Sequence, residues 1–209
     1  MFLHPFTALV AGPTGAGKSE LLKSIVRYAD QLISPPPTRI IWCYAESQSS
    51  LLGLQAKVPH LQLTGNLSQI NELQPDERTL IIIDDWMSEI SSNSRVSELF
   101  YRGSHHRNLS VFLLLQNLFH RGSVMRDIHL NTQYLILFKN PRDTGQIKTL
   151  ARQMFPRHPK YLTEAYDDAT REPFGYLIVD LKPQTQDDRR LSSKILPLET
   201  KWIYVPRGI

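Results

Sequence analysis

Eight residues near the N-terminus, Gly12-Pro13-Thr14-Gly15-Ala16-Gly17-Lys18-Ser19, have the types and spacing needed to hold a polyphosphate. They fit G-x-x-x-x-G-K-[ST], a phosphate-binding loop. Gly12, Gly15 and Gly17 allow a tight turn with positive φ within reach, so that successive backbone N–H groups face one point. Pro13, Thr14 and Ala16 complete the loop. A helix starting near Lys18 aims the positive end of its dipole at the same point. Lys18 brings a mobile cation to the β- and γ-phosphates, and Ser19 a hydroxyl for Mg²⁺. The chemistry expected here is binding of a nucleoside triphosphate through its phosphates.

A second constellation lies at Thr79-Leu80-Ile81-Ile82-Ile83-Asp84-Asp85-Trp86, where an apolar run ends in two carboxylates. Asp84 can hold Mg²⁺, directly or through water, as a hard oxygen ligand. Asp85 is then placed to orient or polarise an attacking water. The alternative is a plain strand-to-loop turn, where Asp is favoured. Gln116 also follows an apolar run. Its neutral amide can touch a γ-phosphate and the lytic water together, or merely cap a strand end; Asn117 is a weaker candidate for the same role. Hydrolysis also calls for positive charge opposite the γ-phosphate, which a guanidinium from a neighbouring subunit can supply. Arg107 is the first candidate, followed by Arg102 and Arg121. His105, His106, His120 and His129 cluster in the same third of the chain, but without a spacing that argues for zinc.

The elements that must position these groups can be read from hydrophobic runs. An apolar stretch, Phe6 to Ala11, precedes the phosphate loop, and Leu21, Leu22, Ile25 and Val26 follow at helical spacing. Strand, loop, helix is the order that the chemistry needs. A helix from about Lys18 to Leu32 is expected, stopped by the proline cluster at 35–37. Further strands are expected at Arg39 to Tyr44, Leu61 to Thr64, Thr79 to Asp84, Ser110 to Leu115, Thr132 to Phe138 and Gly175 to Asp180. Helices are expected near Ser49 to Lys57, Leu67 to Leu73, Arg95 to Ser104, Gly122 to Ile128, Thr144 to Phe155 and Tyr161 to Thr170. Continuous apolar strands alternating with helices predict an α/β fold, with a mostly parallel sheet covered on both faces. In such a sheet the ligand sits at the carboxyl ends of the strands, where the loop, Asp84-Asp85 and Gln116 all fall. Residues 1–183 are expected to form this domain. Residues 184–209 are expected to be an extension packing on it or projecting from it.

The 209 residues suit one core. Apolar residues make up 41% and charged residues 21%, the balance of a soluble globular chain. No apolar run approaches the roughly 18 residues of a membrane span, and the N-terminus lacks the layout of a signal peptide. Cys43 is the only cysteine, which excludes an intramolecular disulfide and a Cys-rich zinc site and points to a reducing, intracellular compartment. A formal charge of +4 permits contact with nucleic acid without demanding it.

With these residues in hand, the chain resembles the FtsK–HerA superfamily of DNA-pumping ATPases. Within it the nearest likeness is to the genome-packaging ATPases of poxvirus-like large DNA viruses and of adenovirus-like and polinton-like elements. The resemblance rests on Gly12 to Ser19, on Leu80 to Trp86, and on the block from Gly103-Ser104-His105-His106-Arg107-Asn108 through Leu115-Gln116-Asn117 to Asn140-Pro141-Arg142-Asp143. It covers residues 5–155. It implies a RecA-like fold, with an extra strand between the phosphate-loop strand and the Asp84 strand. It implies ATP and Mg²⁺ as ligands, a homo-oligomeric ring with ATP at each interface, and movement of double-stranded DNA into a viral capsid or through its portal, inside the host cell. Asp85 matches an acidic residue that is often Glu in the wider superfamily. A cellular or plasmid translocase of the same superfamily, a small-molecule kinase and a non-hydrolysing nucleotide module are the competing readings.

Overall fold

The protein is described from a computed structural model that covers residues 1–45, 49–66, 77–84, 86, 94–103, 108–120 and 122–206; the side chains of 94, 95, 102 and 103 are outside that description. In chain order the elements begin with β1 (Phe2–Leu3), β2 (Thr7–Ala11), α1 (Lys18–Arg27), α2 (Ala29–Leu32), β3 (Ile33–Ser34) and β4 (Arg39–Tyr44). Then come α3 (Ser49–Gln55), β5 (Leu61–Thr64), β6 (Thr79–Asp84), α4 (Ser94–Glu98), a π-helical turn (Leu99–Gly103) and β7 (Leu109–Leu115). The chain continues with α5 (Ser123–Leu130), β8 (Tyr134–Phe138), α6 (Gly145–Met154), α7 (Pro159–Ala169), β9 (Tyr176–Asp180), β10 (Leu191–Ser193) and β11 (Trp202–Tyr204).

The apolar runs become strands because both of their faces are covered. Side chains alternate across a strand. In β2, Leu9 and Ala11 pack on one side of the sheet, while Ala8 and Val10 pack on the other. Ile81 and Ile83 of β6 divide from Leu80 and Ile82 in the same way. Helix α1 seats Leu21, Leu22, Ile25 and Val26 on one face, together with Leu51 and Leu54 of α3. Helices α5, α6 and α7 cover the other face through Met125, Ile128, Leu150, Ala151, Leu162 and Ala165. Each such Leu or Ile contributes about 1.5–3 kcal/mol on burial.

The main sheet has nine strands in the order β11-β10-β9-β8-β2-β7-β6-β4-β5. From β5 to β8 all pairings are parallel, and β9, β10 and β11 each join antiparallel to their neighbour. The α/β, mostly parallel architecture expected from the runs is therefore present. Strand β7 lies between β2 and β6, with Ala11 opposite Leu115 and Ile83 opposite Leu113. Three carboxyl ends, those of β2, β6 and β7, are thereby gathered at one rim.

Several elements differ from their sequence reading. The first helix stops at Arg27, because Tyr28 leaves helical geometry at φ −114°, ψ 29°. Residues Ile33–Ser34 then pair in parallel with Phe2–Leu3. Neither two-residue strand is long enough to show a period. The helix expected over Arg95 to Ser104 is α-helical only to Glu98 and π-helical from Leu99 to Gly103. The helix expected at Leu67 to Leu73 lies outside the described residues. At the C-terminal end, β10 and β11 form an antiparallel pair on the sheet edge. There the Tyr161 hydroxyl donates to the Tyr204 carbonyl at 2.7 Å and the Tyr204 hydroxyl to Asp168 at 3.0 Å.

Candidate active site

The loop at 12–17 leaves the end of β2 and enters α1 at Lys18. Gly15 and Gly17 adopt φ of 79° and 102°, the left-handed conformation expected of them. Gly12 does not belong with them. The structure gives another reason for its type: a Cβ there would lie 2.6 Å from the Cβ of Phe138 on β8. Its N–H donates to the Leu115 carbonyl at 3.1 Å, tying the loop to the tip of β7. Gly12→Ala should therefore destabilise the protein by about 1–3 kcal/mol, since the clash is with an atom next to the backbone rather than with a flexible side-chain end. Urea unfolding of the variant measures this directly.

Gly17 is the N-cap of α1, and no side chain caps the helix there. The first N–H groups of a ten-residue helix thus meet the loop with no side-chain oxygen bound at the cap. Lys18 Nζ donates to the carbonyl oxygens of Gly12 and Pro13 at 2.5 and 3.0 Å. Ser19 Oγ donates to Asp84 Oδ2 at 3.0 Å, although the two residues are 65 apart in sequence. Asp84 is buried at 8% exposure, at the last position of β6. A pocket of about 300 Å³ is lined by Thr14, Gly17, Lys18, Ser19, Asp84, Gln116 and Phe174, among others. Gln116 is exposed at the tip of β7.

This donor set fits the ligands that the sequence suggests. An uncapped helix start, two left-handed glycines and an ammonium group suit phosphate oxygens. A hydroxyl and a carboxylate at hydrogen-bond distance are hard oxygen donors that suit Mg²⁺. The metal candidates Ser19 and Asp84 meet, and Gln116 lines the same pocket. Asp85, Arg107 and Arg121 lie outside the described residues, as do His105 and His106 and the side chain of Arg102. Burial lowers the pKa of His120 and His129 and so favours their neutral forms. His4 is structural: its Nδ1 pairs with the Ser110 hydroxyl at 2.6 Å and its Nε2 with Asn108 at 3.0 Å.

Two contributors escaped the sequence reading. Gln146 on α6 accepts from the backbone N–H groups of Leu118 and Phe119 at 2.7 and 3.3 Å, while its Nε2 donates to Asp143 at 2.6 Å. This chain of bonds braces the segment that follows Gln116. The Asp-x-x-Gln spacing at 143–146, a known helix-start pattern, was the available signal. The second is Phe174, which lines the pocket of Lys18, Ser19 and Asp84 from a loop more than 150 residues downstream of Gly17. Nothing local marks it.

No family model matches the sequence, and no curated protein matches it. Solved structures do. The fold is RecA-like. The genome packaging NTPase B204 of Sulfolobus turreted icosahedral virus 2, in complex with sulfate, superposes with a TM-score of 0.59 at 16% identity, over 93% of this chain and 98% of that one. The cytoplasmic domain of the Thermomonospora curvata type VII secretion ATPase EccC gives 0.54 at 16% identity, over 84% of this chain but 24% of that one. The flagellar accessory protein FlaH of Methanocaldococcus jannaschii gives 0.52 at 12% identity, over 100% of this chain and 91% of that one. At these identities the likeness is one of fold. That RecA-like fold, with β7 inserted between β2 and β6, agrees with the FtsK–HerA resemblance read from the motifs.

Proposed function

We propose that this protein is an Mg²⁺-dependent ATPase whose subunits form a ring and translocate double-stranded viral DNA into a preformed capsid. The observation that carries the reading is the 3.0 Å bond between Ser19 and Asp84, made across an intervening strand that delivers Gln116 to the same pocket. A kinase places its metal-binding carboxylate on the strand beside the phosphate-loop strand and has no use for an amide on a strand between them. The similarity in fold to a viral packaging NTPase over nearly the whole of both chains supports the packaging role.

In this reading Gly15, Gly17 and the start of α1 bind the β- and γ-phosphates through backbone N–H groups. Lys18 leaves the Gly12 and Pro13 carbonyls to neutralise the same phosphates. Bound Mg²⁺ would be held by Ser19 and Asp84 and would lower the charge on the phosphate oxygens. Asp85 orients the attacking water, and Gln116 contacts both that water and the γ-phosphate. Arg107 of a neighbouring subunit completes the charge around the γ-phosphate, with Arg102 or Arg121 as the alternative donors. Such a finger is worth about 10³- to 10⁵-fold in rate, so a lone subunit binds ATP and barely turns it over.

The test is ATP hydrolysis over a range of protein concentrations, with and without double-stranded DNA, with Asp85→Asn as control. The expected result is a rate per subunit that climbs with concentration and with DNA and vanishes in the control. A flat, DNA-indifferent rate would overturn the motor. Further stimulation by empty capsids separates packaging from the cellular or plasmid translocase reading.

A further inference from the structure

The loop that returns the chain from α7 to β9 breaks a local rule. Within Glu172-Pro173-Phe174-Gly175, the Gly175 N–H donates to the Glu172 carbonyl at 3.1 Å. Proline holds the second position, and Phe174 holds the third with φ of 63°. These are the features of a type II turn, whose third position demands positive φ and ordinarily takes Gly or Asn. The turn cannot move its glycine one place forward to relieve this. A Cβ on residue 175 would lie 2.4 Å from the Ala169 carbonyl oxygen, so position 175 also needs glycine. A large aromatic is thus kept in a strained conformation, and burial does not repay it, because Phe174 is 68% exposed. Strain of this kind in an over-determined loop points to a function.

The ring's position suggests which. Phe174 lies against the N-cap of α1: its Cδ1 is 3.1 Å from where a Cβ on Gly17 would stand. It lines the same pocket as Asp84 and Gln116, and its turn leads into β9, which lies beyond β8 on the other side of β2 from β7 and β6. Asp84 and Gln116 mark the γ-phosphate end, so the nucleoside of a bound nucleotide leaves the loop towards β8 and β9. There a second hollow of about 350 Å³ is bounded by Gly15, Ala16, Lys139 and the Phe174 turn. We infer that Phe174 is the platform on which the purine base of the nucleotide stacks. This rests on the nucleotide-binding reading above and adds its base end. Stacking uses the π-face that every base presents, so the platform supplies affinity for the nucleoside and leaves the phosphates to the loop.

The experiment is calorimetric titration of the full chain with MgATP and with Mg-tripolyphosphate, which has the phosphates and no base. Phe174→Gly should weaken MgATP binding about tenfold or more and leave tripolyphosphate binding within about twofold. Its melting temperature should hold or rise, because glycine accepts the positive φ freely. Phe174→Trp should restore ATP affinity, and its emission should respond to ATP but not to tripolyphosphate. Equal losses for both ligands would mean that the ring only shapes the loop and would overturn the inference. So would unchanged ATP affinity in Phe174→Gly. If the unaltered protein binds neither ligand, or Lys18→Ala binds both as well as the parent does, the nucleotide reading itself has failed. Those outcomes are distinct from a failure of the platform alone.

Discussion

Lys18→Ala should lower ATP turnover about 10²- to 10³-fold, the loss seen when one preorganised donor is removed from developing charge in a sheltered site. Lys18 bonds to the Gly12 and Pro13 carbonyls within its own loop. Gly12 is buried and Pro13 half-buried, so loss of the ammonium costs two carbonyls a partner. The free energy of unfolding should therefore fall by no more than about 1–3 kcal/mol, the cost of leaving a buried acceptor without its partner. Steady-state hydrolysis and urea unfolding of the same preparation check both halves. A large loss of stability would mean that Lys18 is a structural pin, and the turnover loss could then not be assigned to phosphate.

Asp84→Asn should raise the Mg²⁺ concentration for half-maximal activity by about 10- to 100-fold, the range for a carboxylate that acts on a metal directly or through its water shell. Asparagine keeps the shape and an oxygen that can accept from Ser19 Oγ, now 3.0 Å from Asp84 Oδ2. It removes the charge and turns one acceptor oxygen into an amide donor. Asp84 is mostly buried, and because asparagine matches its size the packing around it should be kept. The diagnostic measurement is a Mg²⁺ titration at fixed ATP, repeated with Mn²⁺. Unchanged metal dependence would remove Asp84 from the metal site and leave it as the anchor of Ser19. Ser19→Ala should show a smaller shift in the same direction, because a hydroxyl is a weaker ligand than a carboxylate.

What could be read from the sequence was whatever short-range physics encodes. The phosphate loop is legible because positive φ, a helix start and a cation must follow one another within eight residues. The buried strands are legible because a strand covered on both faces has to be apolar at every position, as Ile81, Ile82 and Ile83 are. The rim location of Asp84 and Gln116 follows, because each residue sits where an apolar run ends. The tertiary structure alone decided the rest, and in each case the reason is contact between distant segments. Gly12 is glycine because Phe138 of β8 crowds it, and not because its own φ requires it. Phe2–Leu3 is a strand only because Ile33–Ser34 lies beside it. Gln146 matters because α6 packs under the segment after β7. Phe174 reaches the pocket because α7 and β9 bring their connecting turn over the start of α1. Periodicity and turn chemistry act over a few residues, whereas close approach is settled only when the sheet is assembled.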